Sequence, residues 1–122
     1  MCIRDSPYCE GSPLENGPDK GYYPNIAKVL DVLAEYGDEE KNVWITEIAW
    51  NTNPNAEHFR ATEDKQASWL RLAYEKAYTE WPKVKNFIWY QLKDKNEEGG
   101  FGLVRSDGTY KPSWYTLSLI HI

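Results

Sequence analysis

Apolar residues recur along this chain with two different periods. Ile26, Val29, Leu30 and Leu33 fall at i, i+3, i+4 and i+7, the spacing that gathers side chains on one face of a helix. Pro24 suits an early helical position, where its missing N–H is no loss, and Gly37 suits a stop, so the pattern predicts an amphipathic helix over Pro24–Tyr36. A second stripe of Leu70, Ala73, Tyr74, Ala77 and Trp81 predicts another helix from about Asp64 to Glu80, ended by Pro82. Between and after these helices the pattern changes. Val43-Trp-Ile-Thr-Glu-Ile48 and Asn86-Phe-Ile-Trp-Tyr-Gln-Leu92 are short runs dominated by β-branched and aromatic residues, and both read as buried strands.

The remaining segments are polar and rich in breakers. Pro7 to Tyr23 reads as a loop, and so does the stretch from Asn51 to about Thr62, which is longer than most connections in an α/β unit. Lys93 to Gly100 forms a further loop. Phe101 to Tyr110 carries the Asp107-Gly108 pair of a tight turn, and Lys111-Pro112-Ser113 opens a last helix. The order helix, strand, helix, strand, helix argues for an α/β fold with parallel pairing and crossover helices. A doubly wound sheet shares that order. No Gly-rich phosphate loop follows either strand, so a nucleotide-binding version has no supporting motif.

Composition narrows the function classes. With 41% hydrophobic and 27% charged residues the chain has globular composition and no apolar run long enough for a membrane span. A net charge of −5 without a basic stripe argues against nucleic acid as a partner. Six Trp and nine Tyr stand out, because flat rings with a polar tip serve both core packing and stacking on the apolar faces of sugars. The two cysteines, Cys2 and Cys9, offer no metal-ligand spacing, and no cofactor motif is present.

The two ends read differently from the rest. Residues 1–6 can be written as ATG TGT ATA AGA GAC AG and residues 117–122 as CTG TCT CTT ATA CAC ATC. These strings are reverse complements and resemble a transposon end used to fragment DNA for sequencing. Both hexamers are therefore expected to be translated adapter, as in a metagenomic fragment, leaving Pro7–Thr116 as the native stretch. That removes Cys2 and His121 from consideration and leaves Cys9 as a free thiol. His58, in the polar loop, is expected to be exposed.

The most informative residue is Glu47, an acid inside an otherwise apolar strand and near its carboxyl end. Carboxylates are seldom buried without a partner or a task. In parallel α/β architectures ligands collect at the carboxyl ends of the strands. On position alone two readings stand, a chemical group or a structural carboxylate paired with a neighbouring Lys or Arg.

Three motifs shift that balance: Trp44-Ile-Thr-Glu-Ile-Ala-Trp50, Asn86-Phe-Ile-Trp-Tyr-Gln-Leu-Lys-Asp94, and Phe101-Gly-Leu-Val-Arg-Ser-Asp-Gly-Thr-Tyr-Lys-Pro112. In that order and at that spacing they resemble the seventh strand, the eighth strand and the following segment of the clan of retaining glycosidases that includes cellulases, β-glucosidases and the β-xylosidase/iduronidase family. The resemblance covers nearly all of Pro7–Thr116. It implies the C-terminal part of a TIM (β/α)₈ barrel, with Glu47 as catalytic nucleophile and Trp89 as the floor of the reacting sugar's subsite. It further implies an oligo- or polysaccharide substrate with β-linkages and, by analogy, extracellular work.

The other site assignments are open at this level. Trp50 either stacks on a neighbouring sugar or plugs the barrel rim, and Asn51 and Gln91 either bind sugar hydroxyls or satisfy the backbone of their own loop and strand end. Tyr8 is a candidate for the end of the sixth strand, since Pro-Tyr recurs there in related enzymes. Asp94 either lines the cleft or caps its loop. The clan's acid/base residue sits in an Asn-Glu pair at the end of the fourth strand, and neither Asn16 nor Asn96-Glu97 matches that placement. A barrel takes about 250 residues, so this piece is expected to lack the acid, to be inactive alone and to aggregate through open strand edges. Two rival functions remain: a barrel that binds carbohydrate without catalysis, and an unrelated α/β enzyme using Glu47 as a general base.

Overall fold

A computed structural model describes residues 9–17, 21–95 and 99–120. A short 3₁₀ turn, Tyr23–Asn25, leads into α1 (Ile26–Glu35), followed by β1 (Val43–Ile48), α2 (Glu63–Glu80), β2 (Val84–Trp89) and α3 (Pro112–Ile120). The two strands pair in parallel, with α2 as the crossover between them, as the alternation of elements predicts. Tyr8 and the first hexamer fall outside the described residues. Leu117–Ile120 of the last hexamer continue α3.

The helix ends form where the sequence supplies their caps. Gly37 takes φ +72°, a left-handed conformation that costs glycine little, and this lets Gly37 N and Asp38 N reach back to the Ala34 and Leu33 carbonyls at 3.0 and 2.7 Å. At the start of α2 the Thr62 hydroxyl accepts from Lys65 N at 3.2 Å, with Glu63 and Asp64 in the first turn where the helix dipole favours negative charge.

Both predicted stripes face one core. Ile26 and Leu33 of α1 and Leu70, Ala73 and Ala77 of α2 are buried, and Ile26, Ala73 and Ala77 cluster with Tyr23, Ile45, Ile48, Trp50 and Trp81. Tyr23 stands at the centre. Its ring lies 5.1 Å from that of Trp81, and its hydroxyl donates to the Ala73 carbonyl at 2.6 Å, so the polar tip is satisfied while the ring is buried. Each large apolar side chain so removed from water contributes about 1.5–3 kcal/mol.

β2 starts and ends two to three residues earlier than the run Asn86–Leu92 suggests. β1 stops at Ile48, and the last cross-strand bond is Tyr90 N to the Ile48 carbonyl at 3.0 Å. Beyond it the chain passes through a cis Tyr90–Gln91 peptide and finds new partners: the Gln91 and Leu92 carbonyls accept from Leu103 N and Val104 N at 3.2 and 3.0 Å. The expected turn forms with Gly108 N donating to the Arg105 carbonyl at 2.9 Å.

The helices cover one face of the strand pair. The opposite face carries Trp44, Asn86 and Ile88, all exposed, with Trp44 and Ile88 each about half accessible at 49% and 48%. Parallel sheets ordinarily bury both faces. No helix among the described residues is long and apolar enough to cross a membrane.

Candidate active site

Glu47 occupies a break in strand alternation. Ile45 pairs with Phe87 and Ile48 with Trp89, so three steps along β1 match two along β2, and Thr46-Glu47 carries the extra residue of a β-bulge. The consequence is visible in burial. Val43 and Ile45 face the helices, and strict alternation would send Glu47 the same way; instead Ile48 takes the buried place, and Thr46 and Glu47 are both half-buried. A bulge re-aims a side chain in this manner. Glu47 thus lies half-buried at the carboxyl end of β1, one residue before the partner of Trp89.

The aromatic end of β2 pairs with the next residue, Ile48, and Trp89 packs against the buried cluster. Trp89 is half-buried, its ring 6.0 Å from that of Trp50, and its indole N–H donates to the Phe101 carbonyl at 3.0 Å. The alternation that exposes Asn86 and Ile88 continues at Tyr90, whose ring meets Phe101 edge-on at 5.9 Å. Tyr90 was not singled out by sequence reasoning, because in Trp-Tyr-Gln the tryptophan carries the stronger motif signal; counting faces from Asn86 would have found it. Gln91 Nε2 is buried and has no hydrogen-bond partner among the described residues, a donor that costs about 1–3 kcal/mol when left unsatisfied.

Trp50 and Asn51 are placed differently. Trp50 is fully buried, packed edge-on against Trp69 at 5.8 Å, with its indole N–H on the Gly11 carbonyl at 2.9 Å. Both its ring and its N–H are thus enclosed within the chain. Asn51 is also buried, and its Oδ1 accepts from Asn53 N and from Gly100 N, both at 2.8 Å, which is the loop-capping arrangement. Asp94 binds Lys111 through both oxygens and accepts from Gly102 N at 2.6 Å. His58 is exposed and bonds Glu10 at 3.1 Å. Cys9 is buried, and loss of solvent pushes its thiol pKa well above the ordinary range.

The loops after β1 and β2 are tied together around one carbonyl. Gly100 O accepts from Thr52 N (3.0 Å), Thr52 Oγ1 (3.0 Å), Gln66 Nε2 (3.2 Å) and Lys111 Nζ (3.0 Å). A side chain at Gly100 would strike Thr52 and the backbone of Asn53, so glycine is what permits this approach. Gln66, fully buried, also donates to the Trp50 carbonyl at 2.8 Å and accepts from the Ser113 hydroxyl at 2.8 Å. Among the described residues no group of three or more His, Cys, Asp or Glu side chains is placed to hold a metal.

A cleft of about 270 Å³ lies at the other end of the strands, lined by Leu33, Val43, Trp81 and Lys83 among others. Its walls are apolar and its rim charged, and it is remote in the fold from Glu47.

These elements define a βαβ unit with one carboxylate and an aromatic edge at the carboxyl end of its strands. Residues of this chain superpose on part of a β-glucuronidase from Lactobacillus rhamnosus with a TM-score of 0.57 at 16% identity, covering 80% of this chain and 18% of that one. The likeness is one of fold, and the chain spans less than a fifth of that structure. No protein-family model matches the chain, and no curated protein matches it.

Proposed function

We propose that this chain is the C-terminal part of a retaining glycoside hydrolase barrel, with Glu47 as nucleophile and the end of β2 as the edge that receives the sugar. The observation that carries the reading is the register irregularity after Ile45, which leaves Glu47 half-buried at the carboxyl end of β1, one residue before the partner of Trp89. The fold likeness to part of a β-glucuronidase supports the barrel. So does the open, half-apolar sheet face, which further strands of a barrel would cover.

In the reaction a Glu47 oxygen attacks the anomeric carbon as the bond to the leaving oxygen breaks, and a second carboxyl group gives that oxygen its proton. Water then takes the place of Glu47 on the anomeric carbon, returning a proton to the second carboxylate, with the two groups about 5–5.5 Å apart. Asp94 is unsuited to the second role, because both its oxygens are held by Lys111. The acid belongs to another βα unit of the barrel. Tyr90 and Trp89, whose ring also packs against the buried cluster, are the aromatic side chains assigned to the sugar, with Gln91 beside them.

The test is trapping. The longest reading frame holding these residues, treated with a panel of 2-deoxy-2-fluoro glycosides and digested, should yield a labelled peptide containing Glu47, and Glu47→Gln should take up no label. Turnover of the glycoside with the label on another residue would remove Glu47 as nucleophile. Saccharide binding without turnover or label would make the chain part of a binding protein.

A further inference from the structure

Lys111 is 1% exposed, and its ammonium meets four acceptors, Asp94 Oδ2 at 2.7 Å and Oδ1 at 3.0 Å, Thr52 Oγ1 at 2.9 Å and the Gly100 carbonyl at 3.0 Å, enough to occupy all three of its N–H groups. A lysine is almost never buried so completely without a partner. Buried ion pairs of this kind are often no better for stability than apolar packing, so what this one does best is fix geometry. Its partners come from three separate segments, the loop after β1, the end of the β2 strand's outgoing chain and the glycine-flanked stretch before the turn.

Phe101 lies between the two points that Lys111 fixes. On one side Gly100 is held by its carbonyl; on the other, Gly102 N donates to Asp94 Oδ1 at 2.6 Å. Phe101 in turn holds the aromatic end of β2, accepting the Trp89 indole N–H on its carbonyl and setting its ring against Tyr90. We infer that Lys111 is a positioning residue for Trp89 and Tyr90, acting through Asp94, Gly100 and Phe101. Its importance for sugar binding rests on the function proposed above; the positioning itself does not.

The test reads Trp89 directly in the full chain. The indole N–H resonance of Trp89, assigned with Trp89→Phe, is followed together with that of Trp81, which packs against Tyr23 near the amino ends of the strands. In Lys111→Met the Trp89 resonance should shift and its hydrogen exchange should speed up by about tenfold, the loss of one hydrogen bond, while Trp81 stays in place. Should Lys111→Met disturb Trp81 as well, Thr52→Val removes one acceptor from the ammonium and should move Trp89 in the same direction by less. An unmoved Trp89 in either folded variant overturns the inference. Fluoro-glycoside labelling of the longest reading frame separates the two proposals: a displaced Trp89 where that longer protein never labels leaves positioning standing and removes the glycosidase, and labelling with an unmoved Trp89 does the reverse.

Discussion

Gln66 offers a quantitative test of how the two site loops are joined. Its side chain is fully buried and makes three bonds, to the carbonyls of Trp50 and Gly100 and from the hydroxyl of Ser113. Replacing it with methionine keeps most of the volume but strands the Ser113 hydroxyl and the Trp50 carbonyl, while Gly100 keeps its other three donors. At about 1–3 kcal/mol for each buried orphan, reduced by the added apolar burial, Gln66→Met should cost about 2–4 kcal/mol. Ser113→Ala strands only Gln66 Oε1 and should cost about 1–2 kcal/mol. In the double variant the Ser113 and Gln66 orphans vanish together, so the loss should be about 1–2 kcal/mol, well short of additive. Urea unfolding followed by tryptophan fluorescence reads these differences as midpoint shifts, with a slope of about 1–2 kcal/mol per molar urea for a small domain. Additive losses within about 0.5 kcal/mol would show that the two residues do not share a bond, and the network around Gly100 would lose its central link.

Two further outcomes follow from the same geometry. Thr62→Ala removes the side-chain cap on α2 and should cost about 1 kcal/mol in the same urea assay, with Thr62→Ser retaining most of it; a loss no larger than at an exposed mid-helix position would discount the cap. Burial raises the pKa of Tyr74, pushed up to about 12 from an ordinary 10.0, and raises those of Tyr23 and Cys9 further. Groups whose folded pKa lies above the unfolded value favour the folded state below the unfolded pKa and lose that contribution as pH rises. Melting temperature should therefore fall from about pH 9–10 upward, and Tyr23→Phe should flatten part of that limb; an unchanged limb in Tyr23→Phe would place the alkaline loss elsewhere.

The helices and β1 were legible because their information is local: the spacing of Ile26 to Leu33 and of Leu70 to Trp81, and a run of β-branched residues at Val43–Ile48. The end of β2 was not, since Gln91 and Leu92 remain good strand formers and what stops the strand is the end of its partner at Ile48. Glu47 stood out in the sequence as an acid among apolar residues, but the bulge at its position depends on cross-strand register, which no single-strand pattern contains. Trp50 and Asn51 carried two readings each, and the contacts they make come from Gly11 and Gly100, distant along the chain. Lys111, though part of the third motif, gave no sign of burial. A lysine before a proline in a polar segment looks like any surface lysine until acceptors from remote loops are gathered around it.

That gathering has a consequence for the order in which the chain can mature. Synthesis delivers segments from the amino end, so β1, α2 and β2 are available to pair and pack before α3 emerges. The Gly100 carbonyl, the Asp94 carboxylate and the Gln66 amide are then in place without Lys111 and Ser113, their partners at the start of α3 and just before it. The loops after β1 and β2 thus stay unlatched until Lys111 and the start of α3 leave the ribosome, and a chain that stalls just short of them would carry a formed strand pair with those loops still open.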